Sequence, residues 1–444
     1  MLFKNYNDLI LNGQTPELQQ KRKDVLDMLS AAIDAVQPSL VVKDVFCGMQ
    51  LMFASEVIDL SSFNHLYIVG FGKASVGMAQ AVCDAVTIEK GVIITNDPSA
   101  TCTNHSIEII TGGHPLPNEG SINGTEKILN LLSQCSENDC VIVLISGGGS
   151  SLLCKPRVPL NDFQKTIDML LRSGVGIDEL NVIRKHLSFV KGGQLAQYTK
   201  AVIVSLIISD IVHDPITSIA SGPTYPDPTT FSDAREILKR YKLWKTMPTA
   251  VRTAITEGIA GHISETLKEN DPVFTTVFNF VIANNERACQ GAIEKAKELG
   301  YHARLLTTSL TGEAREIGKY LITKGKKSLI HEKMIVITSG ETTVTVQNGG
   351  TGGRNQELIL CCVEEIAGNE FVVTSIGTDG IDGNSDAAGA LADGFTLARA
   401  LEKKLNPSRF LEQNNSNVFF QALGDTFLTG PTGTNVMDIQ IMIL

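Results

Sequence analysis

Short apolar runs rich in valine and isoleucine alternate with segments of helical periodicity along the chain. This alternation is typical of a parallel β-sheet whose two faces are covered by helices. In the first half it predicts strands near residues 66–69, 92–95, 107–110, 141–145 and 202–208, with helices between them. We therefore predict an α/β fold whose N-terminal domain is Rossmann-like and doubly wound.

A second α/β set begins with a strand predicted at 277–283, after the polar break SETLKENDP near Asp271. We predict two domains, residues 1–270 and residues 271–444. The final segment NVMDIQIMIL is predicted to be a strand, and it returns to one domain or the other. At 444 residues the chain is long enough for such domains, each with its own core.

The charge balance excludes several classes of partner. A net charge of -10 argues against a nucleic acid or an anionic membrane, because either partner needs a surplus of Lys and Arg. No apolar run has the length of a membrane span and no signal pattern opens the chain, so we expect a cytoplasmic enzyme. The nine cysteines are scattered without a CxxC, which predicts reduced core thiols. A homo-oligomer is left open.

The sequence SGGGSS at 146–151 directly follows the predicted strand that ends at Ile145. Glycines at a strand end let the backbone approach a ligand, and the amides that follow point at negative charge. The loop is not a Walker A motif, because it has no lysine of its own. We predict that it binds an anion through Ser146, Gly147, Gly148, Gly149, Ser150 and Ser151.

A second glycine loop, VGFGKAS, ends an earlier predicted strand and places Lys73 at a helix start. A lysine there is unfavourable beside the helix dipole unless it has an anionic partner. The same loop nearly matches GxGxxG, with Ser75 at the third glycine and Asp97 after the next strand. A nicotinamide-dependent oxidoreductase is therefore an alternative to phosphate binding.

Two further segments concentrate charge. NVIRKHLSFVKGG contains Arg184 and Lys191, which we predict to bind substrate, although a solvated helix face is an equal alternative. SDIVHDP follows a predicted strand and contains Asp210 and Asp214, either of which is predicted to bind Mg²⁺ or to accept a substrate proton.

The C-terminal half contains two more glycine-rich motifs. In NGGTGGRNQEL, Arg354 stands at a predicted helix start, where its guanidinium is a fork for carboxylate or phosphate. In GTDGIDGNSDAAG, Asp382 begins a pattern like that of a calcium loop, but Ala387 occupies the required glycine position, so no EF-hand is expected. A turn that carries Asp379 into a cleft between the domains is predicted instead.

These motifs together resemble the glycerate 2-kinase family with a MOFRL C-terminal domain. The resemblance rests on VLISGGGSSLL, RKHLSFVKGGQLA, SDIVHDPITSIASGPTYPDPT, GGRNQEL and GTDGIDGNSDAAGA, in that order, and covers roughly residues 20–440. It implies ATP- and Mg²⁺-dependent phosphorylation of D-glycerate to 2-phosphoglycerate by two α/β domains with the active site between them. His213 departs from the family, which more often has glycine there.

The resemblance also implies roles for individual residues. Lys73 and Arg354 match the catalytic lysine and arginine of the family, and we expect them to bracket the transferred phosphoryl group and the glycerate carboxylate. One or more of Asp210, Asp214 and Asp379 is expected to hold Mg²⁺, and one of these carboxylates, with Asp210 as the candidate, to orient the attacking hydroxyl. Some family members are labelled hydroxypyruvate reductases, so a reductase remains an alternative, as does a non-catalytic sugar-phosphate-binding protein.

Overall fold

A computed structural model describes residues 1–328 and 334–443 of the chain. The helices are α1 Tyr6–Leu11, α2 Pro16–Asp34, α3 Pro38–Val45, α4 Ser75–Ala85, α5 Glu119–Leu132, α6 Gly149–Leu152, α7 Leu160–Arg172, α8 Ile177–His186, α9 Phe231–Arg240, α10 Thr249–Ile259, α11 Asn285–Glu298, α12 Ala314–Ser328, α13 Arg354–Leu360, α14 Thr396–Glu402, α15 Pro407–Glu412 and α16 Ser416–Leu423.

Within the described residues the strands form three sheets. They are β1 Phe46–Cys47, β2 Gln50–Met52, β3 Val57–Asp59, β4 Leu66–Phe71, β5 Lys90–Thr95, β6 Ile107–Thr111, β7 Cys140–Ile145, β8 Val202–Ile208, β9 Val277–Ala283, β10 His302–Leu310, β11 Met334–Gly340, β12 Val372–Gly377, β13 Gly389–Asp393, β14 Thr426–Phe427 and β15 Asp438–Ile443. Strands β1 to β3 make a small antiparallel sheet.

The chain divides into two compact units. Residues Pro38–Ile282 form one, here called the glycine-loop unit, and Met1–Gln37 with Ala283–Leu444 form the other, here called the terminal unit. The division corrects the predicted boundary near residue 270 at both ends. Strand β9 belongs to the sheet of the glycine-loop unit, and the first 37 residues pack with the C-terminal half.

The sheet of the glycine-loop unit has the strand order β6-β5-β4-β7-β8-β9. Strands β4 to β8 are parallel, and the order reverses between β4 and β7, which is the doubly wound Rossmann arrangement. Strand β7, CVIVLI, is buried at every position because helices cover both faces of the sheet. The predicted α/β fold of this unit is confirmed.

The sheet of the terminal unit is mixed, with the order β10-β11-β15-β12-β13-β14. The final strand β15 lies at its centre, antiparallel to both β11 and β12. The C-terminal strand, whose domain the sequence left open, therefore belongs to the terminal unit. It also brings the start of β15 to the edge of the sheet where β11 and β12 end.

Among the described residues, no single helix is both long and apolar enough to cross a membrane. The bent pair of α2 and α3 meets that length and composition only when the two helices are taken together.

A buried arginine joins α2 to the C-terminal half of the terminal unit. Arg22 is fully buried, and it donates to Asp393 at 2.6 Å, to Asp425 at 2.9 Å and to the Leu9 carbonyl at 2.7 Å. Burial alone would lower the pKa of Arg22, but the charges of Asp425 and Asp393 outweigh it and raise the pKa. The N-terminal residues are thus tied to strands more than 350 positions away in the sequence.

Replacing this arginine tests that attachment. Arg22→Met leaves the buried Asp393 without a cation and leaves Asp425 with Arg399 alone, so the free energy of unfolding should fall by about 3–5 kcal/mol in urea denaturation. Lys23→Met on the same helix removes only a partly exposed pair with Asp27, and it should cost less than about 1 kcal/mol. Equal losses for the two variants would contradict the role of Arg22.

Candidate functional site

The loops after β4 and β7 meet where the strand order of the parallel sheet reverses. Chains leave such a point in opposite directions, so the carboxyl ends of the two strands open a crevice that commonly binds ligands. The loop after β4 carries Lys73, and the loop after β7 is the triple-glycine loop, residues 146–151. The structure brings together the two loops that the sequence singled out separately.

Backbone hydrogen bonds fasten these two loops to each other. The Lys73 amide donates to the Gly147 carbonyl at 2.9 Å, and the Ala74 amide donates to the Ser146 hydroxyl at 3.1 Å. At Gly72, where φ is 136°, a Cβ would lie 2.1 Å from the Ser146 hydroxyl oxygen. Only glycine fits this contact, which explains the second glycine of the first loop.

Several amides of the triple-glycine loop remain available to a ligand. Within the described residues, the amides of Gly147, Gly148 and Ser150 donate to no protein acceptor. A Cβ on Gly148 would lie 3.0 Å from Cδ2 of His114 and 3.6 Å from Cγ of Lys73, so both side chains border the loop. A lysine beside free amides is an arrangement suited to an anion.

The Ser150 hydroxyl begins a chain of polar groups that the sequence did not reveal. Its oxygen lies 2.9 Å from the Ser221 hydroxyl oxygen, and Ser221 lies 3.0 Å from Oδ1 of Asn181. Nη1 of Arg184 lies 3.5 Å from the same Asn181 oxygen. Neither Asn181 nor Ser221 was predicted, and the signal available for them was only their place in NVIRKH and SIASGP.

The other serines of the loop have structural partners. The Ser146 hydroxyl accepts from the Ala74 amide, as described above. Ser151 donates to the Pro115 carbonyl, which fixes the loop against the segment after β6. A Cβ on Gly149 would lie 2.9 Å from Cβ of Ala220, so this glycine is required by packing. The predicted anion-binding set thus divides into amides without a protein acceptor and residues that hold the loop in place.

The basic segment RKHLSFVK divides in a similar way. Lys185 pairs with the buried Asp227 at 3.2 Å, and Nε2 of His186 lies 3.1 Å from a carboxylate oxygen of Glu265. These two residues hold the loop that contains Asp227 and the segment that contains Glu265. They are structural, and the alternative of a solvated helix face is wrong because both side chains are buried.

The burial of Lys191 contradicts the prediction that this residue binds substrate directly. It is fully buried, and its ammonium donates to the Leu153 carbonyl at 2.9 Å, directly after α6 of the triple-glycine loop. Because the Lys191 side chain has no accessible surface, its contact with the Leu153 carbonyl holds the triple-glycine loop from the protein interior. Burial lowers the pKa of Lys191 to about 7, and the nearby charge of Arg184 acts in the same direction.

Arg184 differs from its neighbours. Burial lowers its pKa to about 10, and in the described part of the chain no carboxylate forms an ion pair with it. Its Nε and Nη2 make no hydrogen bond within the described residues, yet they are not enclosed. The guanidinium therefore keeps donors for a ligand.

The predicted carboxylates of the glycine-loop unit lie after β8. Asp210 is half-buried two positions beyond the strand, which itself pairs with β7. His213 and Asp214 have φ angles of 66° and 52°, in the left-handed region that glycine adopts freely. A glycine would adopt this conformation at the position of His213 without strain. No group of three or more His, Cys, Asp or Glu side chains among the described residues is arranged to hold a metal ion.

In the terminal unit, Arg354 is held by two carboxylates. Its Nε and Nη2 donate to Asp438 at 2.5 and 2.9 Å, and Nη1 lies 2.8 Å from Glu341. Burial alone would lower the pKa of Arg354, and the hydrogen bond and charge of Asp438 raise it. Burial raises the pKa of Asp438 itself, against the effect of Arg354. The sequence predicted that the Arg354 guanidinium is open to a carboxylate or phosphate ligand, but Asp438 and Glu341 of the protein bind it instead.

The register of the mixed sheet explains this cluster. Asp438 pairs with Gly340 of β11 and with Gly377 of β12, so the starts and ends of three strands coincide. Glu341 and Asp379 follow β11 and β12 at this edge. Asp438 was missed because, in the sequence, it appears only as the first residue of a terminal strand.

Asp382 has a structural role at the start of α13. Its buried carboxylate accepts the backbone amides and side-chain amides of Asn355 and Gln356 at 2.9–3.2 Å, at the start of α13. Burial raises the pKa of Asp382 to about 6. The aspartate holds the GGRNQEL helix in place.

A titration experiment checks the burial of Lys191. Its folded pKa of about 7 lies below the ordinary value of 10.5, so folding releases protons between these pH values and the wild type gains stability as pH rises. Lys191→Met removes this titration. The stability of the wild type relative to the variant should therefore grow by up to about 1.4 kcal/mol per pH unit between about pH 7 and 9.5. Urea denaturation at each pH measures this difference in the free energy of unfolding. Lys200→Met, at an exposed lysine, should show no such trend, and a flat difference for Lys191→Met would refute the prediction.

A second stability experiment checks the Arg354 cluster. Arg354→Ala leaves the buried Asp438 unpaired, so the free energy of unfolding should fall by about 3–5 kcal/mol. Adding Asp438→Asn removes the uncompensated charge and should restore part of the loss. Arg409→Ala, on the exposed side of α15, is the matched control. No recovery in the double variant would show that the pair is not coupled.

Comparisons with known proteins agree with this architecture. Residues 24–256 match a family described as a domain of unknown function, DUF4147, and residues 334–438 match the MOFRL family. A glycerate 2-kinase of Pyrococcus horikoshii is 41% identical over 85% of this chain and 87% of its own. A putative hydroxypyruvate reductase of Agrobacterium vitis is 37% identical over 85% and 86%.

A solved structure gives the same result. The crystal structure of a glycerate kinase from Thermotoga maritima superposes with a TM-score of 0.85 at 36% identity, and the match covers 96% of this chain and 100% of that one. The chain therefore belongs to the glycerate 2-kinase family, in which a DUF4147 domain precedes a MOFRL domain.

Proposed function

We propose that the protein transfers a phosphoryl group from ATP to D-glycerate and forms 2-phosphoglycerate. The observation that carries this proposal is the anion-binding crevice in which Lys73 borders the free amides of Gly147, Gly148 and Ser150. Membership of the glycerate 2-kinase family supports it, as do the relatives named for this reaction. Phosphoryl transfer needs mainly positioning and neutralisation of spread negative charge, and such a crevice supplies both.

The residues of the glycine-loop unit divide the work. The loop amides bind oxygens of the transferred group, and they cost no reorganisation because backbone hydrogen bonds already hold the loop. Lys73 supplies the positive charge that the triple-glycine loop lacks. Lys191, buried below the loop, keeps α6 in place through the Leu153 carbonyl.

The carboxylates after β8 fit a role with Mg²⁺. In kinases this ion is commonly held by one or two carboxylates together with substrate phosphates, so a cluster of three protein acids is not required. Asp210 lies beyond the strand next to β7, and Asp210 and Asp214 are our candidates for holding Mg²⁺ or for accepting the hydroxyl proton. When bound, Mg²⁺ neutralises charge on the nucleotide phosphates. The assignment of Asp379, which lies in the terminal unit, stays a prediction.

The role of Arg354 is revised in this proposal. Because Asp438 and Glu341 occupy its nitrogens, we assign to it the orientation of these acids, and direct contact with the phosphoryl group stays a prediction. The reductase alternative has less support. In the first loop, Ser75 replaces the third glycine of the dinucleotide motif, and its hydroxyl donates to the Gly72 carbonyl at 2.7 Å.

Two assays on one purified sample test the activity. With D-glycerate, ATP and Mg²⁺ the wild type should release ADP, and phosphorus NMR should identify 2-phosphoglycerate. NADH with hydroxypyruvate should give no oxidation. NADH oxidation without ADP release would identify a reductase, and binding without either reaction would identify a sensor.

The charge of Lys73 should be essential to turnover. Lys73→Ala removes a donor that acts on the transferred group, so kcat should fall by about 100-fold or more while the melting temperature stays unchanged. Lys200→Ala, at an exposed lysine of the same unit, should retain full activity. Near-normal turnover of Lys73→Ala would defeat the assignment.

A further inference from the structure

Three features of the glycine-loop unit have no role in the mechanism above. They are the partly buried Arg184 without an acid partner, the polar chain Asn181–Ser221–Ser150, and the strained residues Ala220 and Ser221 in the loop after β8. All three meet at Asn181 or Ser221. We propose that they form the glycerate-selecting part of the site, in which Arg184 binds the carboxylate and Ser150 accepts a hydrogen bond from a hydroxyl. The inference rests on the proposed function.

The charge of Arg184 is the first step. An arginine taken largely out of water normally acquires a carboxylate partner, as Arg22, Arg354 and Arg399 do in this protein. Arg184 has none in the described chain, although two of its nitrogens remain reachable. Lys191 nearby also has no acid partner in the described chain, and its side chain donates to the Leu153 carbonyl instead. A carboxylate ligand would complete the planar fork of Arg184 with two parallel hydrogen bonds.

The direction of the polar chain is the second step. Nδ2 of Asn181 donates to the Ser218 carbonyl, and Oδ1 faces both Arg184 and Ser221. The reverse amide orientation would set two donors against each other at Arg184 and two acceptors against each other at Ser218. Oδ1 of Asn181 is therefore an acceptor, and the single proton of Ser221 points to it.

The consequence reaches Ser150. Since Ser221 donates to Asn181, it accepts the proton of Ser150 across the 2.9 Å contact. Ser150 is then left with lone pairs only, and it presents an acceptor to any ligand. An acceptor repels a carboxylate or phosphate oxygen and attracts a hydroxyl proton. Arg184 and Ser150 together thus select a molecule that carries both an acid and an alcohol.

Backbone strain at Ser221 supports a functional role for its hydroxyl. Ala220 and Ser221 have φ angles of 49° and 63°, values that non-glycine residues seldom adopt. Each such residue costs of order 1–3 kcal/mol and persists where the surroundings demand it. Here the strain places the Ser221 hydroxyl between Asn181 and Ser150 and packs Ala220 against Gly149.

The same assignment separates the two anions of the reaction. The glycerate carboxylate goes to Arg184, and the transferred phosphoryl group goes to Lys73 and the amides of Gly147 and Gly148. Loss of Arg184 should therefore weaken glycerate binding and leave ATP binding intact.

Calorimetric titration and steady-state kinetics on the full chain test this division. For Arg184→Gln, affinity for D-glycerate and its KM should worsen by about 10- to 100-fold, as for loss of a charged hydrogen bond. The KM for ATP should stay within about 3-fold, and kcat should change less than the glycerate KM. Binding of glycerol, which lacks the carboxylate, should not change. Arg240→Gln, which removes a surface ion pair between α9 and Glu179 of the Arg184 helix α8, is the control.

A second pair of variants tests the polar chain. Ser221→Ala frees the Ser150 proton, so D-glycerate binding should weaken by about 5- to 10-fold with little change in the ATP KM. Ser218→Ala in the same loop removes a hydroxyl that donates only to Asp178, and it should bind glycerate normally. If Arg184→Gln is unstable, Arg184→Lys keeps the charge without the fork and should still weaken glycerate binding by about 10-fold.

The outcomes separate this inference from the proposed function. Unchanged glycerate affinity in Arg184→Gln, or an equal rise in both KM values, overturns the inference while kinase activity of the wild type stands. Absence of ADP release by the wild type overturns the proposed function. The titrations with D-glycerate and glycerol then still decide whether Arg184 binds a carboxylate.

Discussion

The hydrogen bonds between the loops after β4 and β7 are the constraint on which the candidate site depends. The Lys73 and Ala74 amides are bound to Gly147 and Ser146, so the backbone that carries the cation is fixed to the backbone that offers free amides. Gly72 permits this contact because a Cβ there would overlap the Ser146 hydroxyl. Preorganisation of this kind allows a loop without its own lysine to bind an anion.

The basic residues near the site have three different roles. Lys185 and His186 are buried partners of Asp227 and Glu265 and hold the fold. Lys191 lies below the triple-glycine loop, where burial depresses its pKa and its ammonium binds a carbonyl. Arg184 alone of these retains donors for a ligand. Solvation separates these roles, because a buried cation must find an acceptor inside the protein or receive one from a ligand.

The strands and helices of the first half were largely predictable, because parallel strands covered on both faces are apolar at nearly every position. It was harder to predict which unit each strand or helix belongs to. Strand β9 was assigned to the second domain because a polar break precedes it, but it completes the first sheet. Helix α2 was placed in the first domain by sequence order, but the buried ion pairs of Arg22 hold it in the terminal unit.

The sequence by itself determined the α/β class and the two glycine loops, and it identified Lys73 and the SGGGSS segment as candidate anion-binding groups. Glycines and an isolated lysine at strand ends indicate such a site from the local sequence alone. Only the tertiary structure decided which charges are available. Asp438 meets Arg354 through strand pairing, and Asn181 meets Ser221 through the packing of α8 against the loop after β8. These two contacts join positions 84 and 40 residues apart, and no local pattern encodes them.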